Sequence, residues 1–460
     1  MVELVDTPIP DLVVLRLELH QDSRGWFKEN WQREKMLAAG LPDFSPVQNN
    51  MSLNARRGAT RGIHTEPWDK LVSVATGRVF AAWVDMREGP SFGTVFHLEM
   101  GPDTAVFVPR GVGNSYQALE DGSVFSYLVN DHWRPGINYP ALHLGDPTCA
   151  IPWPIPLAEA EISEKDHANP TLDAVRPVAP KRTLIIGANG QLGRALHGQF
   201  PHAELTSRVA DPDRDVAALD ASDPAALAAV PWQEYSVVLN AAAYTAVDAA
   251  ETNDGRVAAW SANATAPALL ARAADEHGFT FVHYSSEYVF DGTRELHTED
   301  EPLSPLGVYA QSKAAGDVAV GTVRRHYLLR TSWVVGEGRN FVRTMHDLAS
   351  RGVSPAVVDD QVGRLTFTTE LARATAHLLS TRAEFGTYNV TNRGEPMTWF
   401  DVAAEVYALS GRARDDVART TTAAYAEGQD LAPRPQHSVL DLTKLESTGF
   451  MPESAATALA

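Results

Sequence analysis

Cysteine is nearly absent from this chain of 460 residues, which contains only Cys149. A single cysteine excludes a disulfide within the chain and leads us to expect the reducing cytoplasm as its location. Long apolar runs are also missing, since no stretch approaches the roughly 20 residues that span a bilayer. The first residues, MVELVDTPIPDLVVLRLELHQ, lack a basic start followed by an apolar run, so we expect neither a signal peptide nor a membrane partner.

Basic side chains are outnumbered, with 39 lysines and arginines against 58 aspartates and glutamates and a formal net charge of -19. A protein that binds nucleic acid needs a basic face, so nucleic acid is not an expected partner. An anionic small molecule remains compatible with this charge, because a few arginines directed into one pocket can bind phosphate.

The two halves of the chain differ in their hydrophobic pattern. Between residues 12 and 153 the apolar runs are short and separated by glycine and proline, which predicts antiparallel strands in a sandwich or barrel. From residue 183 onward, apolar strands alternate with Ala-rich helical stretches, which predicts a parallel sheet with helices on both faces. We therefore predict a first domain over residues 1–167, a linker rich in proline over 168–180 and a second domain over 181–460.

Three glycines in the second half predict a dinucleotide site. Gly187, Gly190 and Gly193 form GxxGxxG directly after the strand TLIIG and directly before a helical stretch. The turn must let backbone N–H groups and a helix N-terminus approach a pyrophosphate, and side chains would block that approach. Glycines also occur in plain strand-to-helix turns, so the flanking strand and helix carry much of this argument.

Tyr309 and Lys313 have the spacing that places two side chains on one face of a helix. A lysine ammonium stabilises a neighbouring phenolate, so we expect Lys313 to lower the pKa of Tyr309. Such a tyrosine can pass a proton to a substrate oxygen while a hydride moves to carbon. An isolated pair of this kind is usually a surface pair, but this one follows a strand that ends in Ser285 and Ser286, at the edge where a doubly wound sheet places its site.

Seven motifs spread over residues 183–442 carry a family resemblance: GANGQLG, NAAAYTAVDAAE, HYSSEYVFDG, VYAQSK, RTSWVVGEGRNFV, VVDDQVGRLT and APRPQHSVLD. In them the second half resembles the extended short-chain dehydrogenase/reductases, and within these the dTDP-4-dehydrorhamnose reductases. The resemblance implies a Rossmann-type fold with a small substrate subdomain. It implies Tyr309 as the proton donor, Lys313 as the residue that orients the ribose, and Ser286 as the hydroxyl on the substrate carbonyl. The family's usual STDYVFDG here carries Ser286 and Glu287 in place of threonine and aspartate.

We expect two sets of binding residues in the second half. The cofactor set is Gly187, Asn189, Gly190, Gln191, Leu192, Gly193, Arg208, Ala241, Ala242, Tyr309 and Lys313. The substrate set is Tyr244, Thr245, Glu287, Trp333 and Arg434.

The residue that follows the second strand of such a fold distinguishes the two nicotinamide cofactors. An NAD-preferring fold usually has an acidic residue there, which binds the ribose hydroxyls. Here the predicted second strand, AELT, is followed by Ser207 and Arg208, and the first acid is Asp211. Arg208 suits a 2′-phosphate, although it can equally be a solvated loop residue. We expect NADPH to be preferred and NADH to be usable, and the sequence leaves a need for Mg²⁺ open.

The stretch RGIHTEPWDK occupies the place of the first metal motif of a cupin barrel but lacks its ligands. That motif needs two histidines and a glutamate, with a further histidine in the second motif. Here His64 is followed by Thr65 and Glu66, and Asn114 stands where the further histidine would be. We therefore predict no catalytic metal. A metal-free acid–base pocket fits better, with His64 as the candidate base, although a lone histidine in a barrel is more often structural.

A second resemblance covers residues 12–175, in the pieces DSRGWFKEN, QNNMSLNARRGATRGIH, WDKLVSVATGRVF, DMREGPSFG, FVPRGVGNSY, SYLVNDHW, DPTCAIPWP and SEKD. In them the first half is similar to the dTDP-4-dehydrorhamnose 3,5-epimerases, an all-β family of cupin jelly rolls. The resemblance implies His64 as the base, Asp166 as its partner, Tyr127 as the acid and Lys70 beside the 4-keto oxygen. It also implies substrate contacts at Arg24, Glu29, Gln48, Asn50 and Arg61.

The two resemblances imply consecutive reactions on one sugar. A ketone at carbon 4 acidifies the hydrogens at carbons 3 and 5, and the same ketone can then be reduced by hydride. We therefore predict a bifunctional enzyme that completes dTDP-L-rhamnose from dTDP-4-dehydro-6-deoxy-D-glucose, as a homodimer through the first domain. Two alternatives stay open: the first domain is an inert sugar-nucleotide-binding or dimerisation module, or the second is a cofactor-binding regulatory subunit.

Overall fold

The computed structural model describes residues 2–133 and 139–459. The chain divides into two compact units, Met1–Pro180 and Lys181–Ala460. Within the described ranges, no helix is both long enough and apolar enough to cross a lipid bilayer.

The first unit is built from antiparallel strands. Its strands are β1 (Glu3–Asp6), β2 (Val13–Arg16), β3 (His20–Asp22), β4 (Gly25–Phe27), β5 (Gln48–Asn54), β6 (Thr60–His64), β7 (Lys70–Thr76), β8 (Val79–Asp85), β9 (Val95–Met100), β10 (Thr104–Val108), β11 (Val112–Ala118) and β12 (Ser123–Val129). Its helices are α1 (Arg33–Ala38) and α2 (Glu164–His167). The strands form a six-stranded sheet in the order β1-β2-β10-β7-β12-β5, a four-stranded sheet in the order β6-β11-β8-β9, and the β3–β4 hairpin.

The two larger sheets pack face to face through apolar side chains. Val72 and Phe125 from the six-stranded sheet lie in one buried cluster with Trp83 and Tyr116 from the four-stranded sheet. Strand β8 is buried along its whole length, whereas β5, at the edge of the six-stranded sheet, alternates between exposed and partly buried residues. This alternation is typical of a strand that has one face covered and the other open to solvent. The predicted all-β architecture of the first half is confirmed.

The segment 168–180, predicted as a linker, belongs to the first unit. Leu172 is buried, and its backbone N–H donates to Asp146 Oδ2 at 2.7 Å. Val178 forms two backbone hydrogen bonds, to Met86 O at 2.7 Å and from Glu88 N at 3.0 Å. The proline content of this segment predicted a linker without tertiary contacts, but apolar side chains between its prolines pack on the first unit. The boundary between the units lies at Pro180 and Lys181.

The second unit contains a parallel sheet of seven strands in the order β15-β14-β13-β16-β17-β18-β23. The strands of the unit are β13 (Arg182–Ile186), β14 (Glu204–Ser207), β15 (Val216–Ala218), β16 (Tyr235–Asn240), β17 (Thr280–Ser286), β18 (His326–Thr331), β19 (Val334–Val335), β20 (Ala356–Val358), β21 (Val362–Gly363), β22 (Thr366–Phe367), β23 (Gly386–Asn389), β24 (Met397–Thr398) and β25 (Ala418–Thr420). The strand order reverses between β13 and β16, and in such a sheet the crevice at the carboxyl ends of these strands is the usual ligand site.

The helices of this unit cover both faces of the sheet. They are α3 (Gln191–Gln199), α4 (Pro224–Ala228), α5 (Asn253–Trp260), α6 (Ala266–His277), α7 (Val308–Val320), α8 (Phe341–Ser350), α9 (Thr368–Ser380), α10 (Trp399–Leu409), α11 (Thr422–Ala426), α12 (Thr443–Ser447) and α13 (Ala455–Leu459). Leu184 and Ile186 of β13 pack with Leu270 of α6, whereas Ile185 packs with Leu196 of α3. Consecutive strand residues therefore enter opposite cores, as predicted for a doubly wound sheet.

A smaller cluster lies beside the seven-stranded sheet. Its strands form three pairs, β19–β22, β20–β25 and β21–β24, and its helices include α8 and α10. Met345 of α8, Val406 of α10 and Trp333 share one hydrophobic core there. The predicted Rossmann-type sheet with a small additional subdomain is confirmed.

Candidate functional site

The glycine turn of the second unit joins β13 to α3 and requires glycine at two positions. Gly187 has a φ of 84°, and a side chain there would bring a Cβ within 2.5 Å of Ala242 N at the end of β16. At Gly193, a Cβ would clash with the carbonyl oxygen of Gly187. The turn therefore lies close to the backbone after β16, and α3 lies close to β13. This leaves the N-terminus of α3 open to a phosphate group.

A cleft of about 1020 Å³ opens at the carboxyl ends of these strands. It brings together twelve of the predicted residues: Asn189, Gly190, Gln191, Leu192, Ala241, Ala242, Thr245, Ser286, Glu287, Tyr309, Lys313 and Trp333. Gly187 and Gly193 shape the turn from behind, while Arg208, Tyr244 and Arg434 lie outside the lining. The small side chains of Ala241 and Ala242 leave the backbone accessible at the point where the strand order reverses.

Tyr309, Lys313 and Ser286 meet in this cleft. Tyr309 and Lys313 are one turn apart on α7, and Ser286 ends β17. The Lys313 ammonium donates to Tyr284 O at 2.6 Å. Burial lowers the pKa of Lys313 to about 8, although the charge of Asp317 opposes that shift.

The pKa of Tyr309 differs from our expectation that Lys313 would lower it. Burial raises the pKa of Tyr309 above its ordinary value, and the charge of Glu287 raises it further, while a hydrogen bond with Ser286 opposes them. Desolvation of the phenolate therefore dominates, because the tyrosine is enclosed and the nearest acid repels a second negative charge. Tyr309 is protonated at neutral pH.

Glu287 is buried beside these groups, and 4% of its surface is exposed. Ser286 Oγ lies 2.7 Å from Glu287 Oε2 and accepts from the Tyr288 backbone N–H at 3.3 Å. Burial raises the pKa of Glu287 to about 8, with the Ser286 hydrogen bond acting against the shift. The cleft thus contains a carboxyl group that is largely protonated at neutral pH.

Three predicted substrate residues, Arg434, Trp333 and Tyr244, make contacts of their own. Arg434 pairs with Asp248 at 2.8 Å. Trp333 stacks on Trp399 with ring centroids 3.6 Å apart and has a φ of 43°, a left-handed conformation that is strained for a tryptophan. The backbone of Tyr244 is held from behind by Asn263.

Asn263 and Arg214 are two supporting residues that the sequence analysis missed. Asn263 Nδ2 donates to Tyr244 O at 3.0 Å and to Ser312 Oγ at 3.1 Å, which connects the loop after β16 to α7. Arg214 donates to Ala188 O and to Asn189 Oδ1, both at 3.2 Å, and so holds the glycine turn. A buried asparagine in the Ala-rich stretch SANATAPALL was the available signal for the first. No local pattern indicated the second.

Arg208 follows β14 directly and is exposed. Its charge contributes to the lowered pKa of Asp220, for which hydrogen bonds from Ser222 are the main cause. The side chain of Asn189 in the glycine turn donates to Val209 O at 2.8 Å. Arg208 therefore lies in a loop that contacts the glycine turn, although it does not line the cleft itself.

In the first unit, His64 and Asp166 come together from segments far apart in sequence. His64 ends β6, and its Nε2 lies 2.7 Å from Oδ1 of Asp166 on α2. Asp166 Oδ2 accepts from the Gly62 backbone N–H at 3.3 Å. Burial by itself raises the pKa of Asp166, but the hydrogen bonds and charge of His64, together with the Gly62 N–H, hold it below its usual range. Asp166 is therefore ionised at neutral pH.

Gly62 permits this arrangement because β6 passes close to β11. It has a φ of 123°, and a Cβ there would lie 2.5 Å from Ser115 Cβ. No larger residue fits, so the glycine two positions before His64 sets the path of the strand.

Lys70 forms a buried ion pair with Glu66 at the start of β7. Burial raises the pKa of Glu66, yet the charge and hydrogen bond of Lys70 and the charge of His64 bring it below its ordinary value. We considered Glu66 only as a metal ligand from the sequence. The structure makes it the partner of Lys70 and a neighbour of His64.

Tyr127, Lys70, Gln48 and Asn50 lie on one face of the six-stranded sheet. Tyr127 pairs with Asn50 across β12 and β5, and Val129 pairs with both Lys70 and Gln48. Residues two apart on a strand point to the same side, which places all four side chains on one surface. Gln48 Nε2 also donates to Asn50 Oδ1 at 2.8 Å.

Tyr127 on this surface is a neutral phenol with charged neighbours. Burial raises its pKa, the charges of Glu66 and Tyr116 raise it further, and Arg61 opposes them. Arg61 comes from β6, and its Nε donates to Asn54 Oδ1 at 3.2 Å. These polar groups therefore come from strands of both larger sheets of the unit.

Arg24 and Glu29 form ion pairs with residues near them in sequence. Arg24 forms an ion pair with Asp22 in the β3–β4 hairpin, and its side chain is 87% exposed. Glu29 pairs with Lys35 on α1. Throughout residues 2–133 and 139–459, no group of three or more histidine, cysteine, aspartate or glutamate side chains is arranged to hold a metal ion.

Comparison with known proteins agrees with the two units. Residues 6–174 match the family described as dTDP-4-dehydrorhamnose 3,5-epimerase, and residues 181–460 match the family described as RmlD substrate binding domain. The chain is 44% identical over 180 residues to the "Protein RmlC homolog" of Streptococcus pyogenes, an alignment that covers 38% of this chain and 90% of that protein.

Two further relatives match the second unit. The "Probable dTDP-4,6-dihydroxy-2-methyloxan-3-one 4-ketoreductase" of Streptomyces antibioticus is 40% identical over 283 residues, which cover 59% of this chain and 90% of that protein. The crystal structure of dTDP-4-dehydrorhamnose reductase from Bacillus anthracis in complex with NADP is 29% identical, with a TM-score of 0.53, and covers 61% of this chain and 97% of that one. The chain therefore belongs to the RmlD family through its second unit and carries, in front of it, a unit of the dTDP-4-dehydrorhamnose 3,5-epimerase family.

Proposed function

We propose that this chain catalyses two consecutive reactions on one dTDP-linked sugar. The first unit epimerises dTDP-4-dehydro-6-deoxy-D-glucose at carbons 3 and 5, and the second reduces the 4-keto group with NADPH to give dTDP-L-rhamnose. The observation that carries the proposal is that each unit holds its own acid–base set, His64 with Asp166 in one and Ser286 with Tyr309 in the other. The names of the reductase relatives, which refer to keto groups of dTDP-linked sugars, support this substrate class.

His64 is the base of the epimerisation. Asp166 is ionised and accepts the hydrogen of His64 Nε2, which leaves a lone pair on Nδ1. Nδ1 removes the hydrogen at carbon 3 or 5, and the electron pair moves into the adjacent carbonyl to form an enolate. The Lys70 ammonium stabilises the enolate oxygen, for which it must exchange part of its contact with Glu66. Tyr127, kept protonated by burial, returns a proton to the opposite side of the carbon.

Tyr309 is the proton donor of the reduction. NADPH, when bound at the glycine turn, supplies a hydride to carbon 4. Tyr309 is protonated at neutral pH and gives its proton to the carbonyl oxygen as negative charge develops there. Lys313, held by Tyr284 O, stabilises the phenolate that Tyr309 becomes. Reduction removes the ketone that made carbons 3 and 5 acidic, so the second reaction makes the product of the first permanent.

Tyr309→Phe should abolish reduction while leaving epimerisation intact. The ring still packs, but the proton donor is gone, so we expect a loss of at least ~10²-fold in kcat, the scale of general acid catalysis. The measurement is incubation of the purified chain with the 4-keto sugar nucleotide and NADPH in D₂O, followed by NMR of the sugar. The unaltered chain should give dTDP-L-rhamnose with deuterium at carbons 3 and 5, and the variant should give deuterated 4-keto sugar. Near-normal NADPH oxidation by the variant would discard the role of Tyr309.

His64→Asn should stop exchange of deuterium at carbons 3 and 5, because asparagine keeps a polar contact to Asp166 but cannot take a proton. We expect the exchange rate to fall by about 10²- to 10⁴-fold. As the control, the variant should still reduce 4-keto sugar that a separate epimerase has already converted. Wild-type exchange in the variant would place the base elsewhere and favour an inert first unit.

We propose in addition that Arg208 contacts the 2′-phosphate of NADPH. Its position directly after β14 is where a dinucleotide fold recognises the adenosine ribose, and its loop touches the glycine turn through Asn189. An arginine offers a paired set of donors to a phosphate.

Arg208→Ala should raise the KM for NADPH about tenfold, the loss of one charge-assisted contact of about 1.4 kcal/mol, with little change for NADH. Arg214→Ala is the matched control, since Arg214 supports the glycine turn and its loss should weaken both cofactors alike. Steady-state kinetics with each cofactor make the comparison. Equal KM values for both cofactors in the unaltered chain would show that this loop does not recognise the phosphate.

A homodimer through the first unit would account for the position of Arg24. Four apolar side chains of the first unit are exposed: Trp26 and Phe27 on β4, and Met51 and Leu53 on β5, of which the last three are 65%, 67% and 64% exposed. Strand β5 is also an edge strand, with one side open for pairing. We propose that a second copy covers this surface and that Arg24 reaches the partner's pocket.

Co-expression of the His64→Asn and Arg24→Ala chains tests this sharing. Each variant alone should lack exchange activity, but a dimer of the two contains one pocket with both residues intact. Random pairing should therefore restore about a quarter of the wild-type exchange rate, as follows from a two-fold symmetric interface. An inactive mixture, with mixed dimers demonstrated by differential tags, would place Arg24 in its own chain's site or in none.

A further inference from the structure

Glu287 is the least expected group in the reductase cleft, since it is a buried acid at the point where a neutral carbonyl must bind. Its carboxyl lines the cleft and lies 2.7 Å from Ser286 Oγ. Ser286 in turn is hydrogen-bonded with Tyr309, the proton donor of the proposed reaction. The three side chains form a chain of contacts that begins at the carboxyl group and ends at the phenol.

The surroundings of Glu287 favour its neutral form. Two phenols, of Tyr288 and Tyr309, face it, and the negative charge of Glu287 raises the pKa of both. The cations nearby are engaged with other groups: Lys313 with Tyr284 O, and Arg434 with Asp248. On α7, the further acid Asp317 pairs with Arg330. In the described part of the chain no cation pairs with Glu287, so its charge has no compensation when it ionises.

The hydrogens around Ser286 can be counted in each protonation state. A serine hydroxyl has one hydrogen to donate and two lone pairs that accept. If Glu287 is ionised, it takes the Ser286 hydrogen, and Ser286 Oγ is left to accept from the Tyr288 N–H and from Tyr309. Both the serine and the tyrosine hydrogens then point away from a bound carbonyl.

The count reverses when Glu287 carries a proton. The carboxylic acid donates to Ser286 Oγ, and the Tyr288 N–H occupies the second lone pair. The hydrogen of Ser286 is then free to point into the cleft, and Tyr309 no longer finds an acceptor in Ser286. Both hydroxyl groups can donate to one carbonyl oxygen, which is the arrangement that proton transfer during reduction needs.

We propose that Glu287 acts as a protonated carboxylic acid that donates a hydrogen bond to Ser286 and thereby directs the hydroxyl hydrogens of Ser286 and Tyr309 to the sugar carbonyl. Glu287 is a positioning residue in this scheme, because it works through Ser286. The inference rests on the proposed reductase function and adds to it a switch within the same site. The proposal explains why a buried carboxyl group lies beside Ser286.

The scheme predicts how reduction depends on pH. Burial raises the pKa of Glu287 to about 8. Below that pH the acid is protonated and both hydroxyls can donate, and above it the Ser286 hydrogen is held by the carboxylate. Lys313 has a pKa of about 8 as well, so the unaltered chain alone does not tell the two groups apart.

Glu287→Gln separates them, because the amide donates to Ser286 at every pH while Lys313 is unchanged. In the unaltered chain with saturating NADPH, kcat should fall about a hundredfold per pH unit well above pH ~8, because Glu287 and Lys313 each lose one essential proton. In Glu287→Gln only the proton of Lys313 is lost, so kcat should fall about tenfold per pH unit. A variant that keeps the wild-type steepness would overturn the proposal.

Ser286→Ala supplies the second arm of the test. If Glu287 acts through Ser286, adding Glu287→Gln to Ser286→Ala should leave the pH profile of the single variant unchanged. A further change in the double variant would show that Glu287 acts directly on the substrate, against the proposal. If the glutamine variant does not fold, the wild-type chain can be labelled with ¹³C at the glutamate carboxyl carbons and followed by NMR. One signal should titrate near pH 8. The absence of such a signal would overturn the proposal. A wild-type chain that does not reduce the 4-keto sugar at all would refute the proposed function instead.

Discussion

Both sites depend on burial of groups that exchange protons. A phenol taken out of water holds its proton more firmly, because the phenolate loses its solvation. Tyr127 and Tyr309 are both partly buried, and this burial is the main cause of the raised pKa of each. Each is therefore protonated at neutral pH, as the proposed proton transfers to carbon and to oxygen require.

The two units bury their tyrosines by means of different folds. In the first, two antiparallel sheets face each other, and the polar side chains of β6, β7 and β12 meet between them. In the second, parallel strands end together at one edge, and the glycine turn and α7 meet there. Each fold brings several strands to one place, and the strands determine which side chains converge.

The order of the chemistry explains why the two activities belong in one chain. Epimerisation needs the ketone at carbon 4, and reduction consumes it. One polypeptide supplies both activities in equal amounts, so the reversible reaction is always accompanied by the step that ends it. The carboxyl groups of the two sites also differ in protonation at neutral pH. Asp166, beside His64, is ionised, whereas Glu287, beside Ser286, is largely neutral.

The sequence by itself determined the features that depend on local pattern. The change in hydrophobic period near residue 180 separated an all-β half from an α/β half, GxxGxxG marked the turn at Gly187, and the spacing of Tyr309 and Lys313 placed them on one helix face. These features can be predicted from the sequence because they depend on backbone geometry over a few residues. The family motifs then connected His64 and Asp166, which lie too far apart in sequence for any local pattern.

Tertiary structure decided what burial and distant contacts control. The pKa of Tyr309 is raised rather than lowered, because desolvation outweighs a lysine whose ammonium is turned to Tyr284 O. Glu66 is the partner of Lys70, Arg24 pairs with Asp22, and residues 168–180 belong to the first unit. Each of these outcomes depends on which surfaces are enclosed once all the strands are assembled, and a sequence pattern contains no measure of that enclosure.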